Sequence, residues 1–165
     1  MSNQVMESLR VVHIFNGLSD QELLQVANLC KVWRTPVGEI IFNEGEDGHE
    51  LYIIQEGCVR VSIKTRGTDG TVSSGTINML YMGQSFGEMV LLDGVTRSAT
   101  VVSAEPCVLL VIQETDFEAL CESNPRIGYR VMYNLACDVA YKLRSSNLLL
   151  RGTIRWQQGE LGKQS

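Results

Sequence analysis

The sequence predicts a mainly β fold with flanking helices: an eight-stranded jelly-roll β-barrel preceded by a short helix and followed by a short and then a long one. Three observations carry that prediction. Between Val32 and Ile112, short runs of β-branched and aromatic residues are separated by glycine-bearing turns at Gly38, Gly45-Glu46-Asp47-Gly48, Gly57, Gly67 to Gly75, Gly83 and Gly94. That is the rhythm of many short antiparallel strands. Ahead of it, Ser19-Asp20-Gln21-Glu22 has the form of a capping box, in which a hydroxyl and a carboxylate three residues on satisfy free N–H groups at a helix start. Behind it, Ile127, Val131, Met132, Leu135, Ala136, Val139, Ala140 and Leu143 make one apolar stripe at helical spacing.

Each element follows in chain order. The capping box opens a helix over 19–30, since Leu23, Leu24, Val26, Ala27 and Leu29 supply its periodicity. The strands are clearest at Leu51 to Ile54, Cys58 to Lys64, Thr76 to Met82 and Thr100 to Ile112. Thr65 to Thr76, rich in glycine, serine and threonine, offers little to bury and reads as a mobile hairpin loop. Thr115-Asp116-Phe117-Glu118 reads as a second capping box, starting a short helix. Asn124-Pro125 then gives a cap followed by a proline at the first helical position, and a long helix to about residue 150. Beyond it, RGTIRWQQGELGKQS loses periodicity and reads as a tail. The organisation expected is one domain over 1–150, with its barrel at 32–112 and C-terminal helices at 115–150, and a tail over 151–165.

Bulk properties exclude several classes. The chain has 165 residues with 44% hydrophobic content, enough for a single core. A net charge of -5 argues against non-specific nucleic-acid binding, which needs a basic surface to neutralise phosphates. Lys142, Arg144, Arg151 and Arg155 are locally basic, but they suit a solvated helix end. No run approaches the roughly 18 apolar residues of a membrane span, and MSNQVMESLR lacks the basic start and apolar centre of a signal peptide. The expected compartment is therefore the cytoplasm. Five cysteines (Cys30, Cys58, Cys107, Cys121, Cys137), an odd number with no CxxC pair, suit free thiols rather than a disulfide frame.

The chemistry concentrates in Phe86-Gly87-Glu88-Met89-Val90-Leu91-Leu92-Asp93-Gly94-Val95-Thr96-Arg97-Ser98-Ala99, where an arginine follows a carboxylate by nine positions in an otherwise apolar run. Gly87 lets backbone approach a ligand, and Met89 to Leu92 can form a short turn with N–H groups directed at negative charge. Arg97 offers a planar fork of donors that fits phosphate bidentately. Glu88 is repulsive beside a phosphate unless it accepts from hydroxyls of the same ligand, and a sugar phosphate meets both demands. As an exposed pair the two charges would contribute only about 0 to 1 kcal/mol. Between hydrophobic strands an unpaired charge is costly, so a ligand pairing with each is the economical account.

This stretch resembles the phosphate-binding cassette of cyclic nucleotide-binding domains, the module of the bacterial catabolite activator, of kinase regulatory subunits and of nucleotide-gated channels. The resemblance spans roughly residues 9 to 150 and includes Phe15-Asn16-Gly17-Leu18-Ser19, Gly38-Glu39-Ile40-Ile41-Phe42, Glu44-Gly45-Glu46-Asp47-Gly48 and Leu51-Tyr52-Ile53-Ile54 up to Gly57. It implies a cupin-like double-stranded β-helix and a non-catalytic receptor for cAMP, ahead of cGMP, with no further cofactor. Glu88 would bond the ribose 2′-hydroxyl, Gly87 would present backbone to the sugar, Arg97 would pair with the phosphate oxygens, and Ser98 and Ala99 would close the anion site, flanked by Phe86 and Met89. The C-terminal helix would swing over the base. Thr96 stands where a proline often precedes the arginine. Ser98 stands where cAMP-selective kinase sites usually have alanine, although a small hydroxyl residue there suits cGMP sites and catabolite-activator cAMP sites alike. Tyr133 and Tyr141 are candidate base contacts, with helix packing the alternative.

Other classes fit less well. A metal-dependent cupin enzyme needs clustered ligands, whereas the only histidines are His13 and His49. No GxSxG, Walker A or HExxH sequence appears, and an iron–sulfur sensor would need an N-terminal cysteine cluster. Glu44, Glu46, Asp47 and Glu50 crowd one turn without the DxDxDG order of a calcium loop and read as an exposed acidic hairpin. The partners expected are a cyclic nucleotide, an effector protein and a second copy through the C-terminal helix, with neither nucleic acid nor membrane. The alternative function is a degenerate domain of the same fold whose Ile127 to Leu143 stripe serves protein interaction.

Overall fold

The computed structural model describes residues 2–66, 70–92 and 96–161, with side chains described at 4–66, 70–92, 96–141, 143 and 144. The helices are α1 (Ser2–Arg10), α2 (Asp20–Leu29), α3 (Glu114–Ser123) and α4 (Pro125–Leu161). The strands are β1 (Lys31–Thr35), β2 (Ile40–Phe42), β3 (Glu50–Glu56), β4 (Cys58–Arg66), β5 (Val72–Tyr81), β6 (Ser85–Phe86), β7 (Thr100–Ser103) and β8 (Cys107–Gln113). Their antiparallel pairing gives two four-stranded sheets, β1-β8-β3-β6 and β2-β7-β4-β5. The fold is thus mainly β with flanking helices and jelly-roll-like, though the pairing runs in two sheets rather than around one closed barrel.

Two-residue periodicity in β3 and β8 organises the interior. Leu51 and Ile53 of β3, with Leu110 and Ile112 of β8, join Leu9, Val12, Phe15, Val26, Phe117, Ile127, Val131 and Leu135 in one core between sheet and helices. The alternate residues Tyr52, Ile54 and Leu109 pack with Ile41, Val59, Phe86 and Val101 between the two sheets. Both faces of β3 are therefore apolar, and its register on β8, with Tyr52 opposite Val111 and Ile53 opposite Leu110, cannot slip by one residue without exchanging two cores.

Several expectations are corrected. The span Thr100 to Ile112 is two strands, because the chain passes from one sheet to the other at Ala104-Glu105-Pro106, where a proline cannot donate to a ladder. The expected loop Thr65 to Thr76 is largely strand, paired as far as Arg66 opposite Val72. Cross-strand hydroxyls, with Thr65 Oγ1 2.8 Å from Ser73 Oγ, stabilise it in place of apolar burial. Residues 67–69 of that loop, like the turn at Gly94, lie outside the described residues.

The capping box at α2 forms in full, with Ser19 and Glu22 each satisfying the other's backbone N–H. The one expected at Thr115 does not form, since β8 runs directly into α3 and Gln113 is the cap residue without a side-chain bond. The Glu114 N–H instead donates to the His49 carbonyl at 2.7 Å. Helix α1 is an addition, seated by Val5, Leu9 and Val12 at helical spacing. Helix α4 continues to Leu161, where the sequence suggests an aperiodic tail. Losing a one-sided stripe does not end a helix; a proline or cap does, and 151–161 contain no proline. No helix among the described residues is long and apolar enough to cross a membrane.

Candidate functional site

A cavity of about 330 Å³ opens beside the inter-sheet core, within the roughly 300–1,000 Å³ range of small-molecule sites. All seven residues singled out in the sequence, Phe86, Gly87, Glu88, Met89, Arg97, Ser98 and Ala99, line it. Three elements bring them together. Strand β6 delivers Phe86 by pairing it with Tyr52 of β3. Gly87, at φ 75° in the left-handed region, turns the chain into a 3-10 helix over Glu88–Leu91, one residue earlier than the sequence suggests. Thr96 and Arg97 are pinned to the turn after β2, where Thr96 bridges Asp47, the Arg97 N–H donates to the Glu46 carbonyl at 2.8 Å, and the Gly45 N–H donates to the Arg97 carbonyl at 2.9 Å. Asp93, Gly94 and Val95 lie outside the described residues.

Arg97 is only 5% exposed, although it is the cation of the site. Its guanidinium lies over the Phe42 ring, 4.2 Å from the centroid, with Tyr52 5.6 Å away. Phe42, Tyr52 and Phe86 form one aromatic floor, Tyr52 and Phe86 being stacked at 5.0 Å. Burial pushes the Tyr52 hydroxyl up to about 12, so the floor stays neutral. Two glycines make room for the guanidinium. A Cβ on Gly48 would fall 2.0 Å from Arg97 Nε, and one on Gly87 would fall 2.7 Å from Nη1. Nη1 donates to the Glu50 carbonyl at 3.0 Å and, more weakly, to the Gly87 carbonyl at 3.5 Å, while Nη2 donates to Glu50 Oε2 at 2.8 Å. Nε is buried without a partner.

The arrangement places a buried guanidinium on an apolar floor, a geometry that can receive an anion. Glu88, 9% exposed, lines the same cavity, and Val61, Ile77, Asn78 and Leu80 form its wall toward β4 and β5. Gly48 and Glu50, which meet the Arg97 guanidinium, are residues that in the sequence read only as turn and exposed acidic hairpin. Glu50 is turned inward onto Arg97, whereas Glu44 Oε2 accepts from the Lys64 N–H and Glu46 closes its own turn on Asn43. The expected reading of that acidic run as an exposed hairpin is corrected accordingly, because Arg97 draws one of its carboxylates onto its guanidinium.

Residues 33–124 match the family model of the cyclic nucleotide-binding domain, more than half of the chain. The chain belongs to this family. This cyclic nucleotide-binding domain is 33% identical to a cyclic AMP receptor protein of Thermus thermophilus, over 83% of the chain and 60% of that protein. It is 34% identical to a cyclic nucleotide-gated potassium channel of Mesorhizobium japonicum, over 71% of the chain and 30% of the channel. The chain thus spans between about a third and three fifths of the length of these relatives. Among solved structures, the regulatory domain of Toxoplasma gondii PKA with cAMP superposes with a TM-score of 0.65 at 29% identity, covering 72% of the chain and 44% of that structure.

In the cyclic nucleotide-binding domain, neither Tyr133 nor Tyr141 lines the cavity. Both are exposed, and Tyr133 stacks on Tyr129 with centroids 6.2 Å apart. Of the apolar stripe, Ile127, Val131 and Leu135 are fully buried in the helical core, so this part serves packing. Asn134 fixes α4 from the same side, its Nδ2 donating to the carbonyls of Ile14 at 3.0 Å and Asn16 at 2.8 Å. His49 is exposed and pairs through Nδ1 with Glu114 Oε2 at 2.7 Å. All five cysteines are free.

Proposed function

We propose that the chain is a non-catalytic cyclic-nucleotide receptor module that regulates a partner, with cAMP ahead of cGMP as its ligand. The observation that carries this reading is the Arg97 guanidinium, nine-tenths buried, at the wall of a cavity of nucleotide size. Glu50 engages this cation from one side, and the cation's remaining donor capacity at the cavity wall suits a second anion. Arg97, with the backbone of Ser98 and Ala99, holds the cyclic phosphate in this reading. Glu88 accepts from the ribose hydroxyl, the Gly87 backbone approaches the sugar, and Phe86 and Met89 flank it. The base then extends toward Ile77 and Asn78, on the exposed side of the cavity. The names of the Thermus receptor and of the Toxoplasma structure support cAMP as the ligand.

Output runs through α4. No described residue of α4 lines the cavity, while Asn134 and the buried stripe hold its first half against the body. A ligand-driven swing therefore involves the part beyond that anchor, and it requires the ligand to favour one helix position over another. The receptor acts in the cytoplasm on an effector protein, as a dimer through α4. Calorimetric titration with cAMP and cGMP, of protein refolded free of bound ligand, tests the reading. Micromolar or tighter binding that Arg97→Ala abolishes is the expected result, and equal affinities of mutant and wild type would refute the site.

A further inference from the structure

Arg97 carries an internal counter-ion. Glu50 takes hold of both ends of the guanidinium fork, its carbonyl on Nη1 at 3.0 Å and its Oε2 on Nη2 at 2.8 Å. The His49 N–H donates to the same carboxylate oxygen at 3.1 Å, which keeps that carboxylate turned toward Arg97. The pair is unequally buried, the Arg97 side chain being 4% exposed and that of Glu50 31%. A guanidinium has five N–H donors, and the bonds to Glu50 and Gly87 use three of them. Nη2 keeps a second N–H and Arg97 lines the cavity, so one guanidinium can hold this carboxylate and a second anion together. Any phosphate in the cavity must then bind within reach of a carboxylate that already neutralises its cation.

We propose that Glu50 is a specificity-determining residue, an internal carboxylate that shares Arg97 with the ligand phosphate so that the site accepts a singly charged phosphodiester and rejects doubly charged phosphomonoesters. The inference rests on the cyclic-nucleotide reading of the site. Its physical basis is the different scaling of two energies with ligand charge. Attraction to the site grows in proportion to ligand charge, whereas the cost of stripping water from the anion grows with its square. A bare buried guanidinium would reward a dianion strongly. With Glu50 beside it the pair offers little net attraction, and the desolvation cost decides in favour of the monoanion. Glu88, which lines the cavity, adds repulsion of the same sign.

The test titrates wild type, Glu50→Gln, Arg97→Ala and the double variant with cAMP, cGMP, 5′-AMP and inorganic phosphate at pH 8, where a phosphomonoester is a dianion. Glutamine keeps an acceptor for Nη2 and removes only the charge. Glu50→Gln is expected to tighten cyclic-nucleotide binding by about tenfold and 5′-AMP binding by the square of that factor, about a hundredfold. Both gains should vanish when Arg97 is alanine, because the effect acts through that side chain. Unchanged or weaker binding by Glu50→Gln, an equal gain for both ligand charges, or a gain that survives Arg97→Ala would each overturn the proposal. Glu50→Ala removes the same charge and stands in should Glu50→Gln fail to fold. If no variant binds any nucleotide, the cyclic-nucleotide reading falls. Inorganic phosphate then decides: tighter binding by Glu50→Gln that Arg97→Ala abolishes upholds the carboxylate's role, and equal binding overturns it.

Discussion

Two arginine–glutamate pairs in this molecule are mirror images in burial, and the difference separates a pair that joins two helices from one beside the cavity. In the Arg126–Glu22 pair the carboxylate is the buried member, its side chain 8% exposed against 57% for the arginine. Glu22 Oε2 accepts three bonds, from Arg126, from the Ser19 N–H at 2.7 Å and from the Ser19 hydroxyl at 2.8 Å. In the Arg97–Glu50 pair the cation is the buried member and keeps an orphaned Nε. The first pair is closed and joins the start of α2 to α4. The second contains a cation that lines the cavity, where a further anion can join it.

The sharpest way to break this contrast is to remove each arginine in turn. Arg97→Ala is expected to cost about 2–5 kcal/mol of ligand affinity, the scale for deleting one partner of a desolvated charge pair. It should change folding stability much less, because the Glu50 left behind reaches water. Titration calorimetry and urea unfolding of the same variant give the two numbers, and a larger effect on folding than on binding would contradict the assignment.

Gly48→Ala comes next and tests whether the guanidinium needs its glycine cradle. The added Cβ would sit 2.0 Å from Arg97 Nε, so the guanidinium must move out of its position on the Phe42 ring. A loss of about 1–3 kcal/mol in ligand affinity is expected, typical of overpacking a filled site. Gly75, with open space at its Cβ position, is the control whose alanine variant should bind normally.

The residues of this contrast were unequally legible in the sequence. Gly87, Glu88 and Arg97 stand close together in the chain, so their spacing points to one cavity wall before any fold is known. Gly48 and Glu50 reach Arg97 only because Thr96 bridges Asp47 and β6 pairs with β3, a long-range juxtaposition that local pattern cannot express. Glu50 was further hidden among Glu44, Glu46 and Asp47, where only tertiary contact shows which carboxylate turns inward. Helix α1 was different, since Val5, Leu9 and Val12 do carry helical spacing but the segment lacks a cap signal and is short. The β4–β5 hairpin misled because its hydroxyl-rich arms satisfy one another across the ladder instead of burying apolar surface.

The closed pair can be probed by acid. The Arg126 bond, with the Ser19 backbone behind it, holds the Glu22 carboxyl down to about 2. A depressed carboxyl contributes stability that is present above its unfolded pKa, near 4.3, and is lost as pH falls toward the folded value. Arg126→Ala should therefore lower stability at neutral pH, by less than full linkage would give because Arg126 is largely exposed. The difference from wild type should shrink between about pH 4.5 and 2. A deficit independent of pH over that window would mean that Arg126 acts through packing alone.

The smallest expected effect lies between the two pairs, at His49. Its backbone N–H supports Glu50, and its imidazole bonds Glu114 at the start of α3, so one residue links the anion site to the helical layer. The bond to Glu114 raises the imidazole above its ordinary pKa, with Glu50 and Asp47 adding to the effect. A raised histidine contributes stability that is fully present below its unfolded pKa, near 6.5, and is lost as pH rises through the higher folded value. Melting temperatures of wild type and His49→Gln should accordingly differ at pH 6 and converge by pH 9. The imidazole is exposed, so the gap at pH 6 should be small and should close further in high salt. A gap that widens with rising pH would show that the neutral imidazole, and not the ion pair, supports the contact between β3 and α3.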